Sequence, residues 1–330
     1  MPRKAKDRLL TRAAQSAFRA ATVRERLRRL RSGDQVAHLV TLIFASSVLL
    51  ITVMLVVELY DSSALSRLQL GWHFLVSGSW DPVTGDFGAL PFIYGTVVTS
   101  TVALLLAVPL GVGAAIFLSE LAPPRTSDAL AFVVELLAAV PSVIYGLLAI
   151  FVLVPPLRDY VEPFLQRRFG WLPLFQGPIY GVGLLAASVV LAIMILPFIV
   201  SISREALLAV PPEQREAALA VGATRWEAAW QVVAPFARLG IVGSIFLALA
   251  RALGETMAVT MVVGNAPVIS ASLFSPGYSI AAVIANEFTE ATSALHVSAL
   301  IELGLVLFAL TILINAVARL LLVATTSKGL

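Results

Sequence analysis

Residues 212–235 read PEQREAALAVGATRWEAAWQVVAP, a stretch with five charged residues between two long apolar runs. Pro212 suits the first position of a helix, and Glu213 beside it favours the positive N-terminal end of the helix dipole. Gly222 is typical of a residue just past a helix C-terminus. These three residues therefore predict one short helix that begins at Pro212 and closes at Gly222.

A second helix is predicted directly after this glycine. Thr224 with Glu227 three residues later is a capping-box pattern, which marks a helix N-terminus. Pro235 predicts the end of that helix, because the residue before a proline is disfavoured in helical conformation. The stretch as a whole predicts a helix–turn–helix segment, called the elbow below.

The regions on both sides of the elbow are apolar enough to cross a membrane. The chain is 59% hydrophobic and 13% charged, and its mean hydropathy is +0.92. Runs of about 18 or more residues with few charges indicate membrane-spanning helices. We therefore predict an all-α integral membrane protein with six transmembrane helices, at residues 36–57, 91–118, 129–154, 179–202, 239–263 and 294–323.

The basic residues indicate how these spans are oriented. Eighteen lysines and arginines fall on one side of the predicted spans and four on the other. The positive-inside rule then places both termini and the elbow on the cytoplasmic side of the membrane. We expect this membrane to be a bacterial plasma (inner) membrane. Residues 1–35 combine eleven basic residues with apolar residues at helical spacing. We expect them to form an amphipathic segment that lies on membrane lipid, rather than a nucleic-acid-binding arm.

Several kinds of chemistry are not expected of this sequence. Cysteine is absent, and the three histidines are far apart, so we predict neither disulfides nor a metal site. No G-x-x-x-x-G-K-[ST] phosphate-binding loop occurs in the sequence. We expect no catalytic residue and no cofactor, and any ATP hydrolysis is assigned to a partner protein.

The elbow resembles the EAA loop of ABC importer permeases. The Glu-Ala-Ala triplet, the glycine six positions after the glutamate and the terminal proline match the family pattern, although Val232 and Ala234 replace the Ile and Leu of its I-x-L-P ending. The resemblance implies the type I ABC importer permease fold, with the first elbow helix as a cytoplasmic coupling helix that docks on the ATPase. The residues that it implies for coupling are Glu216, Ala217, Ala218 and Gly222.

Other stretches are similar to PstC-type phosphate permeases, and fit these better than the paired PstA-type subunits. They are GWHFL at 71–75, WDP at 80–82, FGALPFIYGT at 87–96, VPSVIYG at 140–146 and RALGETMA at 251–258. The resemblance covers the chain from about residue 36 to the end. It implies a permease domain at 36–330, with a core at 91–324 and a coupling loop at 204–235.

The same resemblance implies a set of partners. These are a PstA-type permease subunit in a heterodimer, an ATPase subunit dimer and an extracytoplasmic phosphate-binding protein. A permease for another oxyanion, such as molybdate or phosphonate, and a PstA-type partner subunit remain alternatives. A membrane-embedded enzyme or passive channel is a further alternative, but a channel needs no elbow and an enzyme needs more polar residues at one membrane depth.

Arg251 and Glu255 are charges near the middle of the fifth predicted span, where each charge costs about 2.5–3.5 kcal/mol. Four residues apart, they are predicted to share one helix face and are able to pair. Arg251 then either offers a positive charge to phosphate in transit or forms a structural ion pair. Ser142, after Pro141, is a third candidate for the substrate pathway, because a bend there exposes polar groups.

Overall fold

The computed structural model describes residues 34–326, and the side chains of residues 36–320. The amphipathic segment predicted at residues 1–35 lies outside the described side chains. The chain divides into two compact units, 1–58 and 59–330. Apart from one small hairpin and an isolated bridge, the regular structure in the described part is helical.

Five helical runs are long and apolar enough to cross a membrane. They are Val36–Ser62, Leu90–Leu121, Ser142–Phe169, Leu184–Leu208 and Ala294–Leu320. A sixth candidate is a bent pair of helices, Arg225–Phe236 and Arg238–Leu253. The all-α membrane class is confirmed, and six spans result when the bent pair counts as one. Within this pair, Arg238–Leu253 lies in the predicted fifth span, and Arg225–Phe236 belongs to the predicted cytoplasmic elbow.

Six α-helices and a short hairpin in the first connection precede Ala149, and three π-helical turns lie between Phe117 and Val161. The α-helices are α1 (Asp34–Ser62), α2 (Ala64–Gln69), α3 (His73–Val76), α4 (Leu90–Ile116), α5 (Pro124–Ala138) and α6 (Ser142–Leu148). The hairpin pairs β1 (Trp80–Asp81) antiparallel to β2 (Asp86–Phe87). The π turns are Phe117–Leu121 after α4, and Ala149–Leu153 and Leu157–Val161 after α6.

The remaining elements run from the third span to the C-terminus. They are α7 (Val154–Pro156), α8 (Glu162–Phe169), a 3-10 turn (Pro173–Phe175), α9 (Leu184–Leu208), α10 (Pro212–Ala220), α11 (Arg225–Ala228), a π turn (Ala229–Val233), α12 (Ala234–Phe236), α13 (Arg238–Leu253), α14 (Met257–Thr260), α15 (Ile280–Glu287) and α16 (Ala294–Thr326). Helices α10 to α12 form the elbow.

The third span differs from its predicted bounds of 129–154. Helix α5 ends at Ala138, and a new helix begins at Ser142 and continues to Phe169. Pro141 causes this break, because it has no backbone N–H and disfavours helical conformation in the residue before it. A hydropathy profile cannot detect the break, since the residues on both sides of Pro141 are equally apolar.

Helix α9 provides the centre of the main apolar core. In its most apolar stretch 67% of the residues are buried, which is the highest share among the candidate spans. It packs against both α4 and α13. Its N-terminal N–H groups are also satisfied, because Leu184 donates to the carbonyl of Ser275 and Leu185 to that of Leu273. The loop before α15 is thereby held against the start of span four.

Candidate functional site

The first elbow helix has the predicted bounds. It begins at Pro212 and ends at Ala220. Gly222 follows with a φ of +93°, in the left-handed region that glycine adopts without steric cost. Beyond it, the N–H of Ala223 donates to the carbonyl of Ala218 at 3.1 Å. This bond satisfies a carbonyl at the helix end and turns the chain towards the second helix.

The second elbow helix begins with the predicted capping box. Thr224 Oγ1 accepts a hydrogen bond from the N–H of Glu227 at 3.3 Å, and the Glu227 carboxylate accepts one from the N–H of Thr224 at 2.8 Å. The bond from the Thr224 backbone lowers the pKa of Glu227 most. Helical structure continues to Phe236 and meets α13 at an angle of 71°. The second elbow helix therefore runs across the direction of span five.

The four predicted coupling residues differ in their exposure. Glu216, Ala217 and Gly222 are exposed, whereas Ala218 is buried. No heavy atom lies within 4 Å of the position that a Cβ on Gly222 would occupy. Glu216, Ala217 and Gly222 are thus accessible to a partner protein, whereas Ala218 is not.

One strong interaction of the elbow was not predicted from the sequence. The Arg215 guanidinium on α10 binds the Glu120 carboxylate in a two-pronged contact, with Nη2–Oε1 at 2.9 Å and Nε–Oε2 at 3.0 Å. The hydrogen bonds to Glu120 raise the pKa of Arg215 above its already high value. Glu120, an acidic residue at the end of an apolar span, was the only hint in the sequence that an ion pair forms here. Its partner could not be identified, because Arg215 lies 95 positions away in sequence.

The prediction that Arg251 and Glu255 share one helix face is wrong. Helix α13 ends at Leu253, and residues 254–256, which include Glu255, separate it from α14. Among the ion pairs of the described side chains there is none between these two residues. The Glu255 carboxylate instead accepts a hydrogen bond from the N–H of Ala258 at 3.2 Å. It therefore satisfies the N-terminal end of α14.

The Arg251 side chain lies against an aromatic ring. Its Cζ atom is 4.4 Å from the ring centroid of Phe198 on α9, which is a cation–π contact. Its Nε atom is buried and has no hydrogen-bond partner among the described residues. The guanidinium is therefore held in place and retains an unused hydrogen-bond donor.

Ser142 lies at the break in the third span. It is the first residue of α6, directly after Pro141, and is partly exposed. The hydroxyl of Tyr145 donates to the carbonyl of Leu137 at 2.7 Å and so bridges the break. The predicted bend is confirmed, although the carbonyl of Leu137 is not left free.

The helix that follows Ser142 packs against the helix that follows Glu255. A Cβ on Gly146 of α6 would lie 3.2 Å from the Cα of Ala258 on α14. The two interrupted spans therefore meet where their short helices begin, with backbone close to backbone. Within residues 36–320, no cluster of three or more His, Asp or Glu side chains could hold a metal ion.

Comparison with known proteins adds a family to this geometry. Residues 107–325 match the family of binding-protein-dependent transport system inner membrane components. The phosphate transport system permease protein PstC of Mesorhizobium japonicum is 49% identical over 92% of this chain and 94% of its own length. The protein of the same name from Xylella fastidiosa is 50% identical over 79% of this chain and 82% of its own length.

A more distant relative and one solved structure extend the comparison. PstC 2 of Mycobacterium tuberculosis is 40% identical over 89% of this chain and 93% of its own length. A structure of inward-facing conformations of the MetNI methionine ABC transporter aligns with a TM-score of 0.47 and 20% identity, over 69% of this chain and 93% of that one. The family match and the extensive identity to the three relatives establish that the chain belongs to the inner membrane components of binding-protein-dependent transport systems.

Proposed function

We propose that this chain is the membrane-spanning subunit of an ATP-driven phosphate importer and forms half of its translocation pathway. The observation that carries the proposal is its 49% identity to the Mesorhizobium phosphate permease over 92% of the chain. The identity extends beyond the elbow, which serves ABC importers in general, to the spans and outward loop. It therefore supports a shared substrate as well as a shared fold.

A member of this family acts together with an ATPase and a substrate-binding protein. For this chain we infer an ATPase dimer, an extracytoplasmic phosphate-binding protein and a PstA-type subunit that completes a heterodimer. Since the sequence has no phosphate-binding loop, ATP hydrolysis belongs to the ATPase subunits. Both termini and the elbow face the cytoplasm in this arrangement.

The elbow is the proposed point of contact with the ATPase. Glu216 and Ala217 are exposed on α10, and Gly222 is exposed at its end. The small Ala217 side chain permits close approach of another protein, and the Glu216 carboxylate offers an ionic contact. Ala218 is the buried residue of the same helix and packs against the rest of the chain. The 71° bend between the second elbow helix and α13 gives the elbow a direct connection to span five.

Arg251 is the proposed phosphate-contacting charge, with Glu255 and Ser142 as further pathway residues. The guanidinium lies on the Phe198 ring, and its buried Nε has no hydrogen-bond partner among the described residues. A guanidinium matches the geometry of a phosphate oxyanion better than a lysine ammonium does. Because Glu255 does not neutralise this charge by an ion pair, Arg251 is available to an anion in transit.

Arg251→Gln tests this assignment in the assembled importer. We expect uptake of labelled phosphate to fall by about tenfold or more, since a hydrogen bond to a charged group contributes about 1.5–3 kcal/mol. Arg238→Gln is the matched control, because Arg238 is the exposed first residue of the same helix. Normal uptake by a normally assembled Arg251→Gln complex would exclude Arg251 from the pathway.

Substrate class is tested separately in the unmodified complex. Labelled phosphate uptake is measured with an excess of unlabelled phosphate, molybdate or phosphonate. We expect only phosphate to compete strongly. Transport of molybdate or phosphonate in place of phosphate would instead identify the chain as a permease for that oxyanion.

A further inference from the structure

Arg215 connects three structural elements through a single side chain. It lies on α10, one residue before Glu216, and its guanidinium holds the Glu120 carboxylate through both Nε and Nη2. Its Nη2 also donates to the carbonyl of Leu207 at 2.7 Å, and its Nη1 to that of Val210 at 2.6 Å. Each nitrogen of the guanidinium is therefore used as a donor.

The acceptors of these bonds lie at the ends of two spans. Leu207 is in the last turn of α9, and Val210 lies two residues past the end of that helix. Glu120 lies in the π turn that ends the second span. One side chain therefore connects the first elbow helix to the adjacent ends of spans two and four.

The two elbow helices are attached to the spans in different ways. The second helix contributes Ala229 and Val233 to an apolar cluster with Ile116 at the end of α4 and Leu207 at the end of α9. In the first helix, α10, only Ala218 is buried. Among the ion pairs of the described side chains, Arg215–Glu120 is the only one that joins α10 to span two.

The pair is also shielded enough to be rigid. The side chain of Glu120 is 9% exposed to solvent, and that of Arg215 is 23% exposed. A two-pronged Arg–carboxylate contact fixes the relative orientation of its partners as well as their separation. Such a contact is suited to pass a displacement of α10 to the second span.

We propose that Arg215 and Glu120 are positioning residues that transmit movement of α10 to the ends of spans two and four. This inference rests on the proposed function, in which the ATPase acts on α10. The pair itself contacts neither phosphate nor ATP. It sets how much of the ATPase movement reaches the translocation pathway, so its loss separates ATP hydrolysis from transport.

The test uses the complete importer in lipid vesicles, with its ATPase, its partner permease and its phosphate-binding protein. Phosphate uptake and ATP hydrolysis are measured together for the unmodified complex and for Glu120→Gln. We expect hydrolysis to continue while the phosphate transported per ATP falls by about tenfold, within the range typical of coupling between sites. A merely structural contact would change the amount of complex but not this ratio.

Asp128→Asn is the matched control for Glu120→Gln. Asp128 also forms an ion pair with an arginine, with Arg204 Nη2 at 3.4 Å from Asp128 Oδ1. The Asp128 side chain, however, is 79% exposed. We expect this variant to keep the ratio of the unmodified complex. Glu120→Asp keeps the charge and shortens the side chain by one methylene, so we expect an intermediate ratio.

The outcomes separate the two proposals. An unchanged ratio in an assembled Glu120→Gln complex overturns the role of the pair and leaves the proposed function intact. If Glu120→Gln does not assemble, Glu120→Asp carries the test, and an unchanged ratio or failed assembly there overturns the role as well. Absence of phosphate uptake by the unmodified complex contradicts the proposed function instead.

Discussion

Gly222 turns the elbow through its backbone conformation and not through lack of space. Its φ is +93°, and no atom lies within 4 Å of an added Cβ. We expect Gly222→Ala to destabilise the turn by about 1–2 kcal/mol, because other residues are strained in the left-handed region. Hydrogen–deuterium exchange of residues 212–223 should therefore accelerate by about fivefold or more.

Two variants serve as controls for this prediction. Gly222→Asn should have a smaller effect, because asparagine tolerates positive φ better than alanine does. Gly243 also has no atom within 4 Å of an added Cβ, but it lies inside α13. Gly243→Ala should leave the exchange of the elbow unchanged. Equal exchange in Gly222→Ala and the unmodified chain would contradict a conformational role for Gly222.

At the scale of the element, the capping box determines where the second elbow helix begins. Thr224→Ala removes the acceptor for the N–H of Glu227 and should cost about 1 kcal/mol of helix stability. Hydrogen exchange of residues 225–236 should accelerate, while that of α10 stays the same because its own hydrogen bonds do not involve Thr224. Equal acceleration in both helices would show that the elbow unfolds as one unit.

The same capping box predicts a dependence on pH. Hydrogen bonds from Thr224 lower the pKa of Glu227 in the folded chain. The stabilisation that the Glu227 carboxylate contributes is therefore complete above the pKa of an unfolded glutamate, about 4.3. It is lost as the pH falls through the lower pKa that Glu227 has in the folded chain. Exchange of residues 225–236, corrected for intrinsic rates, should accelerate on acidification below that range. Glu227→Gln should remove this dependence, and its persistence in that variant would assign it to another group.

At the scale of the whole molecule, we expect the hairpin and the elbow to lie on opposite sides of the membrane. The natural chain has no cysteine, so single cysteines can be introduced without background. Val83 in the hairpin is 94% exposed, and Val221 in the elbow is 86% exposed. In intact cells with a permeable outer layer, a membrane-impermeant thiol reagent should label Val83→Cys but not Val221→Cys.

Inverted membrane vesicles provide the control for this experiment. There the same reagent should label Val221→Cys and leave Val83→Cys unlabelled. Labelling of both variants on one side would contradict the predicted orientation, because the positive-inside rule separates the two regions. Phosphate uptake by both variants should be measured, so that only assembled complexes are compared.

The sequence alone determined the membrane class and most of the elbow. The predicted end of the second elbow helix at Pro235 is wrong, because Ala234 is helical and the helix continues through Pro235 to Phe236. Long apolar runs are sufficient to specify membrane-spanning helices, because unpaired backbone groups are costly in lipid. Pro212, Gly222 and the Thr224–Glu227 box act within a few residues of themselves. Local chemistry therefore predicted both ends of α10 and the start of the next helix correctly.

Only the tertiary structure decided how the charged side chains are paired. The sequence placed Arg251 and Glu255 on one continuous helix, whereas Gly254 ends that helix and leaves Glu255 to satisfy α14. The partner of Arg215 is Glu120, on a span that is distant in sequence. Such a pairing depends on how α4, α9 and the elbow pack in three dimensions. No local pattern records that packing, because a charged residue has the same sequence neighbours whichever distant partner it meets.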